Sequence, residues 1–122
     1  MDEQYRVLVV DDDPAVRKIT HAALTSHNHT VYLAAGVHEG LVTYFAEKPD
    51  IVVTDFRMNG LTGLDLAGLI RSRHPAQPII LMSGNDFDSV PENVTRFVPK
   101  PFTPARLVDV VHEVMSARNG TR

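Results

Sequence analysis

The chain has 122 residues, of which 43% are hydrophobic and 22% are charged, with a formal net charge of -3 and no cysteine. These values predict one globular domain with one core and exclude a disordered or fibrous chain, disulfides and thiolate chemistry. The slight acidity provides no basic surface for direct nucleic-acid binding. No apolar run approaches the roughly 20 residues of a membrane span, and the start "MDEQYR" is not a signal segment, so we expect a cytoplasmic protein.

Five short apolar runs, rich in β-branched residues, alternate with longer segments, most of which have helical spacing. This alternation predicts an α/β fold in which helices cover both faces of a parallel sheet. The five predicted strands are Val7 to Val10, Val31 to Leu33, Ile51 to Val53, Ile79 to Met82, and Phe97 with Val98.

The first three helices are predicted from their caps, their prolines and their apolar spacing. The first should begin at Pro14 with Asp13 as its cap and end near "SHNH", and the next two should end before Pro49 and Pro75. The apolar residues expected on their buried faces are Val16, Ile19 and Ala23; Val37, Leu41, Tyr44 and Phe45; and Leu66, Leu69 and Ile70.

The last helix has the clearest pattern, with Thr103 as its cap and Pro104 in its first turn. Its expected core-facing stripe consists of Leu107, Val110, Val111, Val114 and Met115. His112 is expected on the solvated face of this helix. The six histidines are scattered among separate elements without zinc-site spacing, so we expect no histidine metal site.

Polar residues follow the carboxyl ends of the strands, where an open parallel sheet forms its ligand crevice. Asp11 and Asp12 follow the first strand, Asp55 the third, Ser83 the fourth, and Lys100 the fifth. Two unit charges ~4 Å apart repel by about 4 kcal/mol at an effective dielectric near 20, so three converging carboxylates require compensation. Mg²⁺ suits this role because it prefers oxygen ligands and commonly bridges carboxylates to a phosphate.

The same residues contain the groups that phosphoryl transfer to an aspartate requires. A carboxylate nucleophile, a metal, a lysine and a hydroxyl around one position supply positioning and charge neutralisation, which are most of the catalysis in that reaction. Lys100 would hold the transferring group, and Ser83 would donate a hydrogen bond to it.

The stretches "VLVVDDDP", "VTDFRMNGLTG", "LMSG" and "FVPKPF", in this order, resemble the receiver domain of two-component response regulators, the family of the chemotaxis regulators. The resemblance covers residues 5 to 117 of a single domain, 1–122, and leaves 118–122 as a tail or linker. It implies a flavodoxin-like, doubly wound sheet of five parallel strands in the order 2-1-3-4-5.

The resemblance also implies the roles of individual residues. Asp55 would accept a phosphoryl group from a sensor histidine kinase or a phosphotransfer protein, with Mg²⁺ as cofactor. Asp12 and Asp55 would bind the metal through their carboxylates, Arg57 through its backbone carbonyl, and Asp11 through water. Ser83 would bond the phosphoryl oxygen.

Three further features are implied by the resemblance. Lys100 would pair with the phosphoryl group, and the bond between Lys100 and Pro101 would be cis, which only X-Pro bonds adopt at low cost. Ser83 and Phe97 would be switch residues that report phosphorylation. For Phe97, a packed strand aromatic remains the alternative.

Two departures from the family pattern affect the expected output. Asn59 stands where many receivers have proline. The segment 84–96 is shorter than usual, lacks an apolar stripe and contains Pro91, so we expect a shortened or irregular fourth helix of at most one or two turns. The output face is then altered, and we expect a monomer or weak dimer with an unknown output partner or linked domain.

Three alternatives remain open. A degenerate receiver would act as a phosphate-independent binding module, although all five expected site residues are present. A magnesium-dependent phosphohydrolase of the haloacid-dehalogenase type would need a DxD arrangement and a cap, and this chain has "DDDP". A flavin carrier is disfavoured because the acidic turn after the first strand would repel a phosphate. We therefore expect a regulatory domain that catalyses only its own phosphorylation and dephosphorylation.

Overall fold

The computed structural model describes residues 3–84 and 87–119. Its elements follow in the order β1 (Arg6–Val10), α1 (Pro14–Thr25), β2 (Thr30–Ala34), α2 (Val37–Glu47), β3 (Ile51–Asp55), α3 (Gly63–Arg71), β4 (Ile79–Ser83), β5 (Arg96–Pro99) and α4 (Pro104–Arg118). The strands are parallel, in the order β2-β1-β3-β4-β5. This confirms the predicted fold and strand order. Residues 120–122 of the expected tail lie outside the described residues.

The inner strands are apolar along their whole length because helices cover both faces of the sheet. Alternate side chains of each strand point to opposite faces and form two core clusters. Val7, Val9 and Ile80 face α1 and α4, and Leu8 and Leu81 face α2 and α3. No helix among the described residues has the length and apolar content needed to cross a membrane.

The predicted caps of the first and last helices are present. The Asp13 carboxylate accepts a hydrogen bond from the backbone N–H of Ala15 at 2.9 Å, and the Thr103 hydroxyl accepts one from the N–H of Arg106 at 3.1 Å. These bonds satisfy N–H groups that have no partner within the helix. The acidic turn after β1 therefore leads directly into α1.

Three apolar residues that were predicted to face the core are exposed, which corrects the predicted helix faces. They are Ile19, Phe45 and Leu69, with 55%, 41% and 46% of their surface exposed. In α1, the buried positions are Thr20 and Leu24, and in α2 and α3 the small residues Gly40 and Ala67 are buried. Small residues let a helix approach the sheet closely, and a hydrophobic pattern cannot identify them as core positions.

The last helix buries all five predicted residues, but the prediction for His112 was wrong. His112 is half-buried, and its Nε2 lies 2.9 Å from Nε2 of the buried His29. The His29 ring stacks on Tyr5 with centroids 5.4 Å apart, and its Nδ1 accepts the Tyr5 backbone N–H at 3.0 Å. His29, the residue before β2, thus gives His112 a polar contact that the sequence of α4 alone could not predict.

The connection between β4 and β5 contains no helix in residues 87–95, where a shortened or irregular helix of at most one or two turns was expected. Phe87 packs edge-on against both Phe56 and Phe97, with ring centroids 5.6 and 5.1 Å apart. These aromatic contacts attach the irregular connection to the sheet.

Gly63, the first residue of α3, allows this helix to approach the end of β3. Its backbone N–H donates to the Phe56 carbonyl at 2.8 Å. A Cβ atom at this position would lie 2.1 Å from the carbonyl oxygen of Asp55 and 3.0 Å from a methyl group of Leu81. The close packing of α3 against Asp55 therefore requires glycine.

We expect fast amide hydrogen exchange in residues 87–93, because irregular backbone on the surface opens locally at low cost. Amides of the buried strand β4, such as Leu81, should exchange far more slowly. Exchange monitored by NMR tests this expectation, and strong protection across 87–93 would show that a stable helix forms there.

Replacing Gly63 by alanine should destabilise the protein by about 1–3 kcal/mol, the usual cost of overpacking. Gly68→Ala is the matched control, because its Cβ would have only an ordinary contact, 3.8 Å from Asn93. This control should stabilise α3 by roughly 0.5–1 kcal/mol. Urea unfolding measures both changes, and equal effects of the two substitutions would contradict the proposed close approach.

Candidate functional site

The register of the sheet brings the polar strand ends together at its carboxyl edge. Asp55, the last residue of β3, is paired with Met82 of β4, and Ser83 follows Met82 at the end of that strand. The backbone N–H of Lys100 donates to the Ser83 carbonyl at 2.7 Å and places Lys100 beside the end of β4. Asp11 follows β1, the neighbour of β3 on the other side.

The three aspartates form one acidic cluster. Carboxylate oxygens of Asp11, Asp12 and Asp55, one from each residue, all lie within 4.8 Å of one another. Asp11 is fully buried, Asp55 is 8% exposed and Asp12 is half-buried. An oxygen-only donor set of this size suits a hard divalent cation.

The carboxylate of Asp11 is held at one oxygen and lacks a hydrogen bond at the other. Its Oδ1 accepts the backbone N–H of Asp13 at 2.9 Å, and its Oδ2 is buried without a hydrogen-bond partner, 3.8 Å from Nζ of Lys100. Burial raises the pKa of Asp11, and the charges of Asp55 and Asp12 raise it further, whereas the Asp13 N–H and Lys100 lower it. A buried, unpartnered carboxylate oxygen is a ready ligand for a cation.

The carboxylate of Asp55 is oriented by two donors. Its Oδ1 accepts the backbone N–H of Phe56 at 2.9 Å and lies 3.0 Å from Nζ of Lys100. The peptide bond between Lys100 and Pro101 is cis. Lys100 therefore pairs directly with Asp55, and its positive charge lies beside the position that an anion bound at Asp55 would occupy.

Three further residues were expected at the site: Ser83, Arg57 and Phe97. Ser83 is buried at the end of β4. Arg57 is exposed, and its guanidinium lies 5.7 Å from the centroid of the Phe56 ring. Phe97 lies on the edge strand β5 and packs with Phe87 in the cluster that faces α2 and α3. The structure thus brings the aspartates and Lys100 together, with Ser83 at the end of the neighbouring strand β4 and Phe97 on the edge strand β5.

One polar contact to the site was not predicted from the sequence. Nη1 of Arg17 in α1 donates to the backbone carbonyl of Asp11 at 2.7 Å. Its only sequence signal is its position one helical turn after the cap, which any solvated arginine can occupy.

An apolar groove beside Lys100 was also not predicted, because Ile19 was assigned to the core. The groove has a volume of about 490 Å³ and runs between α1 and the start of α4. Its walls are formed by Val16, Ile19, Thr20, Lys100, Pro101, Phe102 and Pro104. It therefore borders the acidic cluster on the α1 side.

Comparison with known families and proteins agrees with this geometry. Residues 7–112 match the family model of the response regulator receiver domain. The transcriptional regulator NtrC of Salmonella typhimurium is 32% identical over 115 residues, which are 90% of this chain and 24% of NtrC. The response regulator MprA of Mycolicibacterium vanbaalenii is 36% identical over 110 residues, 84% of this chain and 47% of MprA. The chain thus spans from a quarter to a half of these relatives.

Solved structures show the same fold. The chemotaxis response regulator CheY4 of Vibrio cholerae superposes with a TM-score of 0.84 at 24% identity and covers 92% of this chain and 99% of its own. The response regulator TrrA of Thermotoga maritima, solved in complex with Mg²⁺-BeF, has a TM-score of 0.82 at 29% identity. The match covers 89% of this chain and 97% of the TrrA chain. The chain therefore belongs to the response regulator receiver domain family of two-component signalling.

Proposed function

We propose that this domain is a phosphorylation switch in which Asp55 accepts a phosphoryl group from a phosphohistidine. The donor would be a sensor histidine kinase or a phosphotransfer protein. The observation that carries the proposal is the direct pairing of Asp55 with Lys100 at 3.0 Å, beside the buried carboxylate of Asp11. A carboxylate next to a cation at the mouth of a parallel sheet is suited to receive an anionic group.

We propose further that Asp11, Asp12 and Asp55 hold Mg²⁺, with the backbone carbonyl of Arg57 as an additional ligand. The unpartnered Oδ2 of Asp11 supports this fit, because a buried carboxylate oxygen requires a cation or a donor. When bound, the ion would neutralise charge on the carboxylates and on the phosphoryl oxygens.

In the transfer step, a carboxylate oxygen of Asp55 attacks phosphorus. A new O–P bond forms, the P–N bond to the donor imidazole breaks, and the imidazole nitrogen leaves with the electron pair. Lys100 stabilises the negative charge on the phosphoryl oxygens, and the Ser83 hydroxyl donates a hydrogen bond to one of them. The chain acts on its own side chain and has a regulatory rather than an enzymatic role.

The product changes the local charge and so provides the switch. An aspartyl phosphate adds negative charge and acceptor oxygens at Asp55, and a conformation in which Ser83 moves toward it gains contacts that the other conformation lacks. Phe97 and its neighbour Phe87 lie on the adjoining strand and connection. Movement there would change the surface that a partner or a linked domain contacts.

The groove beside Lys100 supports docking of the phosphodonor at this edge. A donor histidine reaches Asp55 only if its protein covers the carboxyl edge of the sheet. Ile19, which is 55% exposed, and Phe102 give that approach an apolar surface next to the site. Burial of exposed apolar side chains favours association.

We propose that residues 1–122 form one receiver domain, with any output provided by a partner or a linked domain. The regulators NtrC and MprA are longer than this chain, and NtrC is described as a DNA-binding transcriptional regulator. The formal charge of -3 disfavours direct DNA contact by the receiver itself. With residues 87–95 irregular, we expect a monomer or a weak dimer.

Two other functions make different predictions. A degenerate receiver would bind its partner without phosphate, and it gains no support from a site in which Lys100 already pairs with Asp55. A phosphohydrolase would need a cap over the site, and the described residues contain only the sheet and its four helices.

Incubation with acetyl phosphate and Mg²⁺ should add one phosphoryl group to the wild type and none to Asp55→Asn, because the amide is a poor nucleophile. Asp109→Asn, which changes an exposed carboxylate on α4, is the control and should be labelled like the wild type. Intact-mass spectrometry reads the adduct.

Equal labelling of Asp55→Asn would exclude Asp55 as the acceptor. Labelling of neither protein by acetyl phosphate, or by a phosphorylated histidine phosphotransfer protein, would favour the degenerate receiver. Continuous release of inorganic phosphate from unrelated phosphate esters would favour the phosphohydrolase.

Asp11→Asn should stabilise the metal-free protein at pH 7 and raise its Tm by a few degrees, because the asparagine carries no buried charge. Since the folded-state pKa of Asp11 is raised from its ordinary value of 3.8, the stability contributed by the protonated form is lost as pH rises through the raised value. The advantage of the variant should therefore disappear below about pH 3.8, where Asp11 is neutral in both states.

Addition of Mg²⁺ should reverse the order, because the wild type gains more binding free energy than the variant. Thermal unfolding at several pH values, with and without MgCl₂, measures both effects. A metal-free Asp11→Asn protein less stable than the wild type at pH 7 would contradict the inferred cost of the buried charge.

A further inference from the structure

The contact between Arg17 and Asp11 connects α1 to the acidic turn. Arg17 lies in the first turns of α1, where helical side chains point back toward the N-terminus of the helix. Its Nη1 donates to the backbone carbonyl of Asp11 at 2.7 Å, and the side chain is half-buried. The bond spans the turn that carries Asp11, Asp12 and Asp13.

The other polar groups of Asp11 show why this bond matters. The backbone N–H of Asp11 donates to the Ala34 carbonyl at 3.0 Å, which continues the β1–β2 ladder. Its Oδ1 accepts the N–H of Asp13 at 2.9 Å. With the carbonyl held by Arg17, Oδ2 is the one polar atom of this residue that lacks a hydrogen bond in the described part of the chain.

We propose that Arg17 is a positioning residue for the metal site: it fixes the backbone of the acidic turn so that Asp11 and Asp12 converge with Asp55 on Mg²⁺. The inference rests on the proposed function, and it adds a residue that does not touch the metal or the phosphoryl group. Partners that orient metal ligands commonly change metal affinity by about 10–100-fold when they are removed.

Arg17 acts through the peptide group rather than through its charge. Its hydrogen bond goes to the peptide carbonyl of Asp11 and not to a carboxylate oxygen of the acidic cluster. A role through charge and a role through positioning predict opposite changes in Mg²⁺ affinity when Arg17 is replaced. Loss of a cation beside an acidic site should strengthen Mg²⁺ binding, whereas loss of a positioning contact should weaken it.

Isothermal titration calorimetry of the metal-free protein with MgCl₂ measures directly whether the Mg²⁺ affinity rises or falls. Arg17→Met keeps much of the side-chain volume and removes the donor, and it should weaken Mg²⁺ binding about tenfold. Arg17→Lys retains one possible donor and should recover part of the affinity. Lys18→Met removes the neighbouring charge, which is exposed on the same helix, and should bind Mg²⁺ like the wild type.

Binding by Arg17→Met that equals or exceeds wild-type binding would overturn the proposal, as would an equal loss in Lys18→Met. Metal-free thermal unfolding shows whether each variant is folded. If Arg17→Met does not fold, Arg17→Leu, which also removes the donor, replaces it, and wild-type affinity in Arg17→Leu is then the overturning result.

Amide exchange of Asp13 in the absence of metal separates this proposal from the proposed function. This N–H bonds Oδ1 of Asp11, so a turn released from Arg17 should exchange it severalfold faster than the wild type does. Unchanged exchange would overturn the positioning role. If the wild type binds no Mg²⁺, the metal site fails, and the Asp13 exchange rate still decides whether Arg17 holds the turn.

Discussion

The buried carboxylate of Asp11 is the constraint on which the arrangement of this domain depends. An ionised group in an apolar interior is unfavourable unless charges or donors compensate it. Here Lys100, 3.8 Å from Asp11 and 3.0 Å from Asp55, supplies one positive charge for two buried carboxylates, with Asp12 close by. The site therefore retains excess negative charge, and this excess suits the cation that we propose for it.

The fold reduces the cost of this charge by placing it among helix N-termini. In a parallel α/β sheet, the helices begin at the carboxyl edge, where their unpaired N–H groups carry partial positive charge. The helix α1 starts at Pro14, directly after the acidic turn, and α3 starts at Gly63, whose absent side chain lets it reach the Asp55 backbone. The strand pairing, the start of α1 and the absent side chain of Gly63 thus all determine the surroundings of the same cluster of charges.

Local patterns in the sequence predicted the parallel sheet, the capped helices and the strand-end carboxylates, whereas the strand order came from the resemblance to receiver domains. These patterns failed where contacts between distant elements decide the outcome. Ile19 is apolar, as core residues usually are, but it lies on the rim of a groove. His112 is half-buried because it contacts His29, which is 83 positions away in the sequence. Arg17 gave no local signal because its partner is a backbone carbonyl, a group that every residue has. These features are properties of packing, and one helical pattern cannot specify them.

At the amino ends of the strands, opposite the site, the buried side chains of His29 and Tyr44 have hydrogen-bond partners. Nδ1 of His29 accepts the Tyr5 N–H, so the ring proton lies on Nε2 and is donated to Nε2 of His112. The Tyr44 hydroxyl donates to the Gln77 side chain at 2.7 Å. Satisfied buried networks of this kind rigidify a fold, whereas unsatisfied ones weaken it. Among the described residues, the buried carboxylate oxygen that lacks a hydrogen bond lies at the carboxyl edge, where we propose that it serves metal binding.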